Sequence, residues 1–244
     1  TIANAREHAE ALTGLPFEEL KAQVARTERE LLVLLPKPLD RRGERRRSPL
    51  LEAAYLARRL AEAGLKGLVF AGARKSAELI ARYAAHPLVR PYRAGYTARE
   101  RRRLEADLKE GRVRVLVSTS ALELGVDIGE LDAVVLVGYP GSTAAFWQRA
   151  GRAGRGERRA LLVYIPREDP MDEYFLHRPA LLLESPPEEA VADPQNPVLC
   201  PLHLHAAARE KPLLAEELLC PEARATLKER NGRFFTPKRN PHRE

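Results

Sequence analysis

VRVLVSTSALELGVDIGELDAVVLVGYPGSTAAFWQRAGRAGR, Val113–Arg155, is the stretch that decides the fold. It opens on an apolar run, VRVLVS (Val113–Ser118), and returns to the same pattern in AVVLVG (Ala133–Gly138). Short continuous apolar runs rich in valine and leucine belong to strands covered on both faces. Ser142 then stands as an N-cap before a helical segment carrying Trp147 and three arginines. Working outward, LVF (Leu68–Phe70) and ALLVYI (Ala160–Ile165) read as two more buried strands, and VRPY (Val89–Tyr92) as a weaker one ended by the turn at Gly95. A helix is predicted over 74–85. Thr97 and Glu100 form a capping box, T-A-R-E, that opens another helix, and Gly111 stops it. Strands alternating with helices predict an α/β fold, a parallel sheet with helices on both faces. Ligands of such sheets sit beyond the carboxyl ends of the strands, where Ala71, Thr119 and Tyr139 fall.

The flanks read differently. Ala3–Leu35 is predicted as an amphipathic helix, ended by Pro36 and Pro38. RRGERRRSP (Arg41–Pro49) is a charged loop, open to two readings: a solvated linker or a nucleic-acid contact. Beyond Pro166 the prolines crowd at Pro186, Pro187, Pro194 and Pro197, as expected of a connector. From Pro197 the pattern is helix, helix, then the basic and aromatic hairpin GRFFTPKRN, the outline of a winged helix with Arg233, Lys238 and Arg239 near its wing. The predicted division is 1–48, an N-terminal helix and charged linker; 49–180, the α/β lobe; and 181–244, the connector and a small, mostly helical, winged-helix-like region.

Composition narrows the function classes. With 244 residues, 44% of them hydrophobic, one large domain or one large and one small can bury a core. The net charge of +7 favours an anionic partner, nucleic acid first. Only eight of the 41 cationic residues are lysine, so the charge is carried by groups suited to bidentate phosphate contact. Few Gln, Asn, Cys and Met beside 31% charged residues fit a thermophile or a GC-rich genome. Two cysteines, Cys200 and Cys220, build no disulfide framework, and a reducing cytoplasm is expected. No apolar run approaches the roughly 18 residues of a membrane helix, and no secretory signal pattern is present. Cys200, His203, His205 and Cys220 lack paired zinc-finger spacing, and on a helix His203 and His205 point about 200° apart, so no metal site is expected.

QRAGRAGR, Gln148–Arg155, places Arg149, Arg152 and Arg155 three apart with glycine and alanine between them. Planar guanidinium forks so spaced suit polyphosphate, because each binds oxygen in bidentate fashion and the glycines admit close backbone approach. A solvated basic helix end is the alternative.

Together with STSALELGVDIG (Ser118–Gly129), this octapeptide resembles the superfamily 2 helicases, as motifs VI and V of their second RecA-like lobe. GLVFAGARKSAE (Gly67–Glu78) resembles motif IV, and YRAGYTARERRRLEADLKEG (Tyr92–Gly111) the loop and helix before motif V. The opening TIANAREHAEALTG resembles the stretch after motif III, which implies a chain cut in mid-motif. DPMDEYF and NPVLCPLHLHAAAREKPL are similar to the DNA-helicase branch that includes bacterial mitomycin-repair and fungal and archaeal RecQ-related enzymes.

The resemblance implies a RecA-like lobe of an ATP-dependent DNA helicase, with 3′–5′ polarity and a repair role. It implies Arg152 and Arg155 as arginine fingers and Gln148 on the γ-phosphate side. Gly125 and Asp127 fall at the ribose end, and Arg149 belongs with the nucleotide-binding set as a coupling arginine. Asp127 is also readable as a turn residue. Ala71, Gly72, Arg74, Arg93 and Thr119 would line the nucleic-acid track, Arg93 standing where many relatives carry histidine. Tyr96 and Trp147 each read as a base-stacking or a packing residue, packing being favoured. No G-x-x-x-x-G-K-[ST] loop and no D-E-x-H strand is present; Asp172-Glu173 lies in the expected polar connector. The phosphate cradle and the Mg2+ ligands would therefore belong to a first RecA-like lobe of the same polypeptide, and this chain alone would not hydrolyse ATP. A double-strand translocase or remodelling subunit, and a non-catalytic nucleic-acid-binding module, are the other readings.

Overall fold

The computed structural model describes residues 2–20, 28–40, 46–123, 126–154, 159–218 and 220–238. The chain divides into two units, one built on residues 22–188 and one on residues 4–21 with 189–244.

The first unit is a six-stranded, wholly parallel sheet in the order β1-β6-β5-β2-β4-β3. Its strands are β1 (Arg29–Val33), β2 (Gly67–Phe70), β3 (Val89–Tyr92), β4 (Val115–Ser118), β5 (Ala133–Val137) and β6 (Ala160–Ile165). Side chains alternate across the sheet, and two cores result. Leu68, Phe70, Leu116, Leu136 and Tyr164 face one way, toward Phe146 and Ala150 of α5 (Thr143–Ala150) and Leu108 of α4 (Ala98–Lys109). Val69, Val115, Val117, Val135 and Val163 face the other, onto alanine-rich surfaces of α2 (Pro49–Glu62) and α3 (Arg74–Ala84). Small alanines let those helices lie close against the valine face. This is the parallel sheet with helices on both faces expected from the alternating pattern.

Local signals act where they were read. Thr97 Oγ1 accepts from the Glu100 N–H while Glu100 Oε2 accepts from the Thr97 N–H, a complete capping box on α4. Gly111 follows α4 with φ +80°. Ser142 Oγ caps α5 by accepting from the Ala145 N–H at 3.0 Å.

The predicted Ala3–Leu35 helix is corrected. Helix α1 (Ala5–Thr13) ends at Gly14 in the left-handed region, and Arg29–Val33 is a strand pairing in parallel with β6. RELLV has helix-compatible composition, but β6 has an open edge that only a strand can satisfy. The segment after Pro166 is also more ordered than a connector: α6 (Pro170–His177) and α7 (Ala180–Glu184) belong to the first unit. Asp169 caps α6, and Asp172 within it is completely buried.

The second unit holds α1 and α8 (Leu199–Glu210), then β7 (Leu213–Leu214), α9 (Pro221–Thr226), β8 (Lys228–Arg230) and β9 (Arg233–Phe235). The strands form an antiparallel sheet in the order β7-β9-β8. Asn231 and Gly232, both at positive φ, make the β8–β9 turn. Cys200, Leu204, Leu213, Cys220 and Phe234 fill the core. The Asn4 side-chain amide exchanges two hydrogen bonds with the Ala190 backbone, tying α1 to the unit.

Candidate nucleotide and nucleic-acid interface

The carboxyl ends of β2, β4, β5 and β6 lie side by side, because neighbouring parallel strands are in register there: Phe70 pairs with Ser118 and Leu136, and Leu136 with Tyr164. Ala71 and Gly72 leave β2, Thr119 leaves β4, Gly138 and Tyr139 leave β5, and Arg167 follows β6. Of the expected nucleic-acid residues, Ala71 is buried and its N–H is bonded to the Ser118 carbonyl at 2.7 Å. Gly72 and Arg74 are exposed at the start of α3, whose N-cap, Ala73, offers no side-chain cap. Thr119 is partly buried. Arg93 leaves β3 one strand over from Thr119, since Tyr92 pairs with Ser118; its Nε is 3.3 Å from Glu78 and its Cζ 4.9 Å from the Tyr96 ring centroid, a cation–π contact.

Helix α5 carries Trp147 and Arg149 but ends at Ala150, so Arg152, expected on the same helix, follows it in the turn beyond its C-cap Gly151. Arg149 Nε meets Glu123 Oε2 at 2.8 Å, both side chains being only 13% exposed, and its Cζ stands 5.3 Å from the Phe70 ring centroid. Arg152 is 6% exposed. It donates from Nε and Nη2 to the Glu123 carbonyl at 3.1 and 2.7 Å, and from Nη1 to the Val126 carbonyl at 2.7 Å. In this state Arg152 therefore grips the segment after β4, and Arg149, expected with the nucleotide-binding residues, grips the same segment through a carboxylate. Gln148 is partly buried. Trp147 packs edge-to-face on Phe146 against the core, centroids 5.6 Å apart. Asp127 accepts from Lys109 Nζ at 2.8 Å and from the Gly129 N–H at 3.1 Å while its side chain stays 75% exposed, the geometry of a turn residue. Arg155 and Gly125 lie outside the described residues, as does most of the Arg41–Arg47 loop. Of that loop, Arg46 Nη1 reaches the Pro36 carbonyl and Arg47 stands 3.6 Å from Glu52.

Three contributors escaped the sequence reading. Arg29 Nε reaches across from β1 to the Ala153 carbonyl at 3.0 Å, bracing the arginine octapeptide. Glu188 accepts from the Thr143 and Ala144 N–H groups at 2.6 and 2.9 Å; those backbone bonds to the first turn of α5 hold its carboxyl below the usual range. Asp172 accepts from the Tyr139 N–H at 2.7 Å, from the Tyr164 hydroxyl and from Arg167 Nε at 3.3 Å. Burial, reinforced by Asp172, raises the Tyr164 phenol above its ordinary value. None of these partnerships has a local sequence signal.

In the second unit, the residues weighed for zinc stand in different settings. His205 Nδ1 and Nε2 lie 2.9 and 3.0 Å from the hydroxyls of Thr236 and Thr226. Burial pushes the Cys200 thiol up to about 11, and His203 is exposed.

Residues 50–157 match the helicase conserved C-terminal domain. Over 226 residues, 89% of this chain and 30% of the relative, the sequence is 37% identical to the ATP-dependent helicase YprA of Bacillus subtilis. Over 179 residues, 69% of this chain and 17% of the relative, it is 37% identical to the ATP-dependent helicase hrq1 of Schizosaccharomyces pombe. The chain thus spans less than a third of either relative. Among solved structures, the DUF1998 helicase MrfA bound to DNA and AMPPNP superposes with a TM-score of 0.83 at 33% identity, covering 98% of this chain and 36% of that one. Mycobacterium smegmatis Lhr bound to ssDNA and AMP-PNP shares the fold, with a TM-score of 0.75 at 24% identity over 99% of this chain and 36% of that one. No helix among the described residues is long and apolar enough to cross a membrane. The chain belongs to the ATP-dependent helicases of the YprA and Hrq1 type, and it carries their second RecA-like lobe.

Proposed function

We propose that this chain is the second motor lobe of an ATP-dependent DNA helicase that moves 3′–5′ in DNA repair, working against a first RecA-like lobe that supplies the phosphate cradle. The observation that carries the reading is the joint fastening of Arg149 and Arg152 to Glu123 and Val126. A guanidinium that donates to main-chain carbonyls can trade them for phosphate, because an oxyanion accepts a stronger, charge-assisted bond from the same fork. Arg152, with Arg155, would turn to the γ-phosphate when the lobes close, Gln148 lying on the same side and Gly125 and Asp127 toward the ribose. Release of the Glu123 and Val126 carbonyls would then be felt at Thr119, one short 3-10 turn upstream at the end of β4. Thr119, Gly72 and Arg74 would hold DNA phosphates without reading sequence. Nucleotide state and grip on the strand would thereby share one loop. The hairpin of the second unit, with Arg233 and Lys238, is proposed as a winged-helix-like DNA contact. With no D-E-x-H strand in the sequence, Mg2+ ligation is assigned to the first lobe, and no step here runs through it.

The test compares this chain alone with the same chain joined to its first lobe. Alone it should bind single-stranded DNA weakly and salt-sensitively, with no ATP turnover; joined, it should hydrolyse ATP in a DNA-stimulated manner. Turnover by the isolated chain, or none from the joined lobes with DNA, contradicts the proposal.

A further inference from the structure

Arg167 lies outside every motif read from the sequence. It leaves β6 and runs across the ends of the neighbouring strands. A Cβ on Gly138 would come within 2.1 Å of its Nε and 2.8 Å of its Cζ, and a Cβ on Gly72 within 3.2 Å of its Nη1. Gly138 has φ +83°, so no other residue is readily accommodated there. Two glycines thus form the floor on which one guanidinium is laid from the end of β6, over β5, to the turn after β2.

Its underside is anchored. Nε faces Asp172 Oδ2 at 3.3 Å and Nη2 donates to Asp169 Oδ2 at 3.0 Å. Asp172 is itself fixed by the Tyr139 N–H and the Tyr164 hydroxyl. These contacts occupy two of the five N–H donors of an arginine. The side chain remains 42% exposed, with Nη1 beside Gly72. An ion pair needed only to hold α6 has no reason to carry the guanidinium across two strand ends. A fork with its back fixed by a buried carboxylate and its front open is the arrangement that contacts an oxyanion.

Resting on the motor-lobe reading above, we propose that Arg167 is a further contact to a backbone phosphate of single-stranded DNA, with Asp172 as its positioning residue.

The full-length protein tests this by fluorescence anisotropy with a labelled oligo-dT strand and no nucleotide, titrated from low to moderate KCl. Arg167→Gln should weaken binding roughly five- to twentyfold, and the slope of log K against log[salt] should become shallower by about 0.7, one single-strand phosphate contact. Arg167→Lys should keep the wild-type slope with a loss of about two- to fivefold. Should Arg167→Gln fail to fold, Arg167→Lys carries the test, and binding equal to wild type overturns the proposal. An unchanged slope in a folded Arg167→Gln, whether or not affinity falls, assigns the residue a structural role and also overturns it. A wild-type protein that binds no single-stranded DNA at any salt defeats the motor-lobe reading itself, an outcome distinct from a normal binder indifferent to Arg167.

Discussion

Replacing Arg152 by alanine should destabilise the lobe before any nucleotide is considered. Three hydrogen bonds from one buried guanidinium end on two carbonyls, those of Glu123 and Val126. A bond from a charged donor contributes about 1.5–3 kcal/mol, and a buried acceptor left without a partner costs about 1–3 kcal/mol. The three bonds share two acceptors and water can enter the vacated space, so the terms do not add; a net loss of about 3 kcal/mol is expected. For a lobe of this size roughly 2–4 °C accompanies each kcal/mol, which places the fall in Tm at about 6–12 °C. Differential scanning calorimetry of wild type, Arg152→Ala and Arg152→Lys reads it. Lysine keeps the charge but cannot reach both carbonyls with a fork, so it should recover less than half of the loss. Hydrogen exchange at residues 126–129 should quicken in both variants. A Tm shift below about 2 °C with unchanged exchange would refute the grip on the post-β4 segment, and with it the proposed exchange between carbonyls and phosphate.

Other consequences follow from individual contacts. Thr97→Ala removes the α4 capping box and should cost about 1 kcal/mol, seen as a small drop in Tm without loss of DNA binding. Tyr164→Phe deprives buried Asp172 of a hydroxyl donor and should cost about 1–3 kcal/mol by urea denaturation; a neutral effect would show that the carboxylate does not depend on it. Burial and nearby Lys238 hold the His205 imidazole below its ordinary value, so the folded unit binds its proton less readily than the unfolded chain does. Its stabilising contribution is complete above about pH 6.5 and declines as pH falls from there toward the lowered folded value. The urea midpoint of the second unit should therefore drop between pH 7.5 and 5.5, and His205→Gln should flatten that dependence.

What the sequence revealed was local. The apolar runs of β2, β4, β5 and β6 read as strands because both faces of each are covered, and the caps at Thr97 and Ser142 use residues within three positions. β1 was read as helix because RELLV carries no strand signature; its conformation is set by pairing with β6, far away in the chain. Asp172 looked like a polar connector residue for the same reason, since Tyr139 and Tyr164 that bury and bond it are recruited by the fold. The arginine octapeptide was legible as a unit, but the partners of Arg152 are main-chain carbonyls, which leave no trace in residue identity. Asp127 shows the converse: its sequence fits both a hydroxyl acceptor and a turn, and this state displays the turn.

The most direct test of the motor-lobe account is DNA-stimulated ATP turnover by the two-lobed protein carrying Arg155→Ala. An arginine reaching the γ-phosphate as the bond breaks is worth roughly 10³–10⁵-fold in kcat. The account predicts a loss of that order while AMP-PNP binding stays within a few-fold of wild type. Near-normal turnover by the folded variant would contradict it.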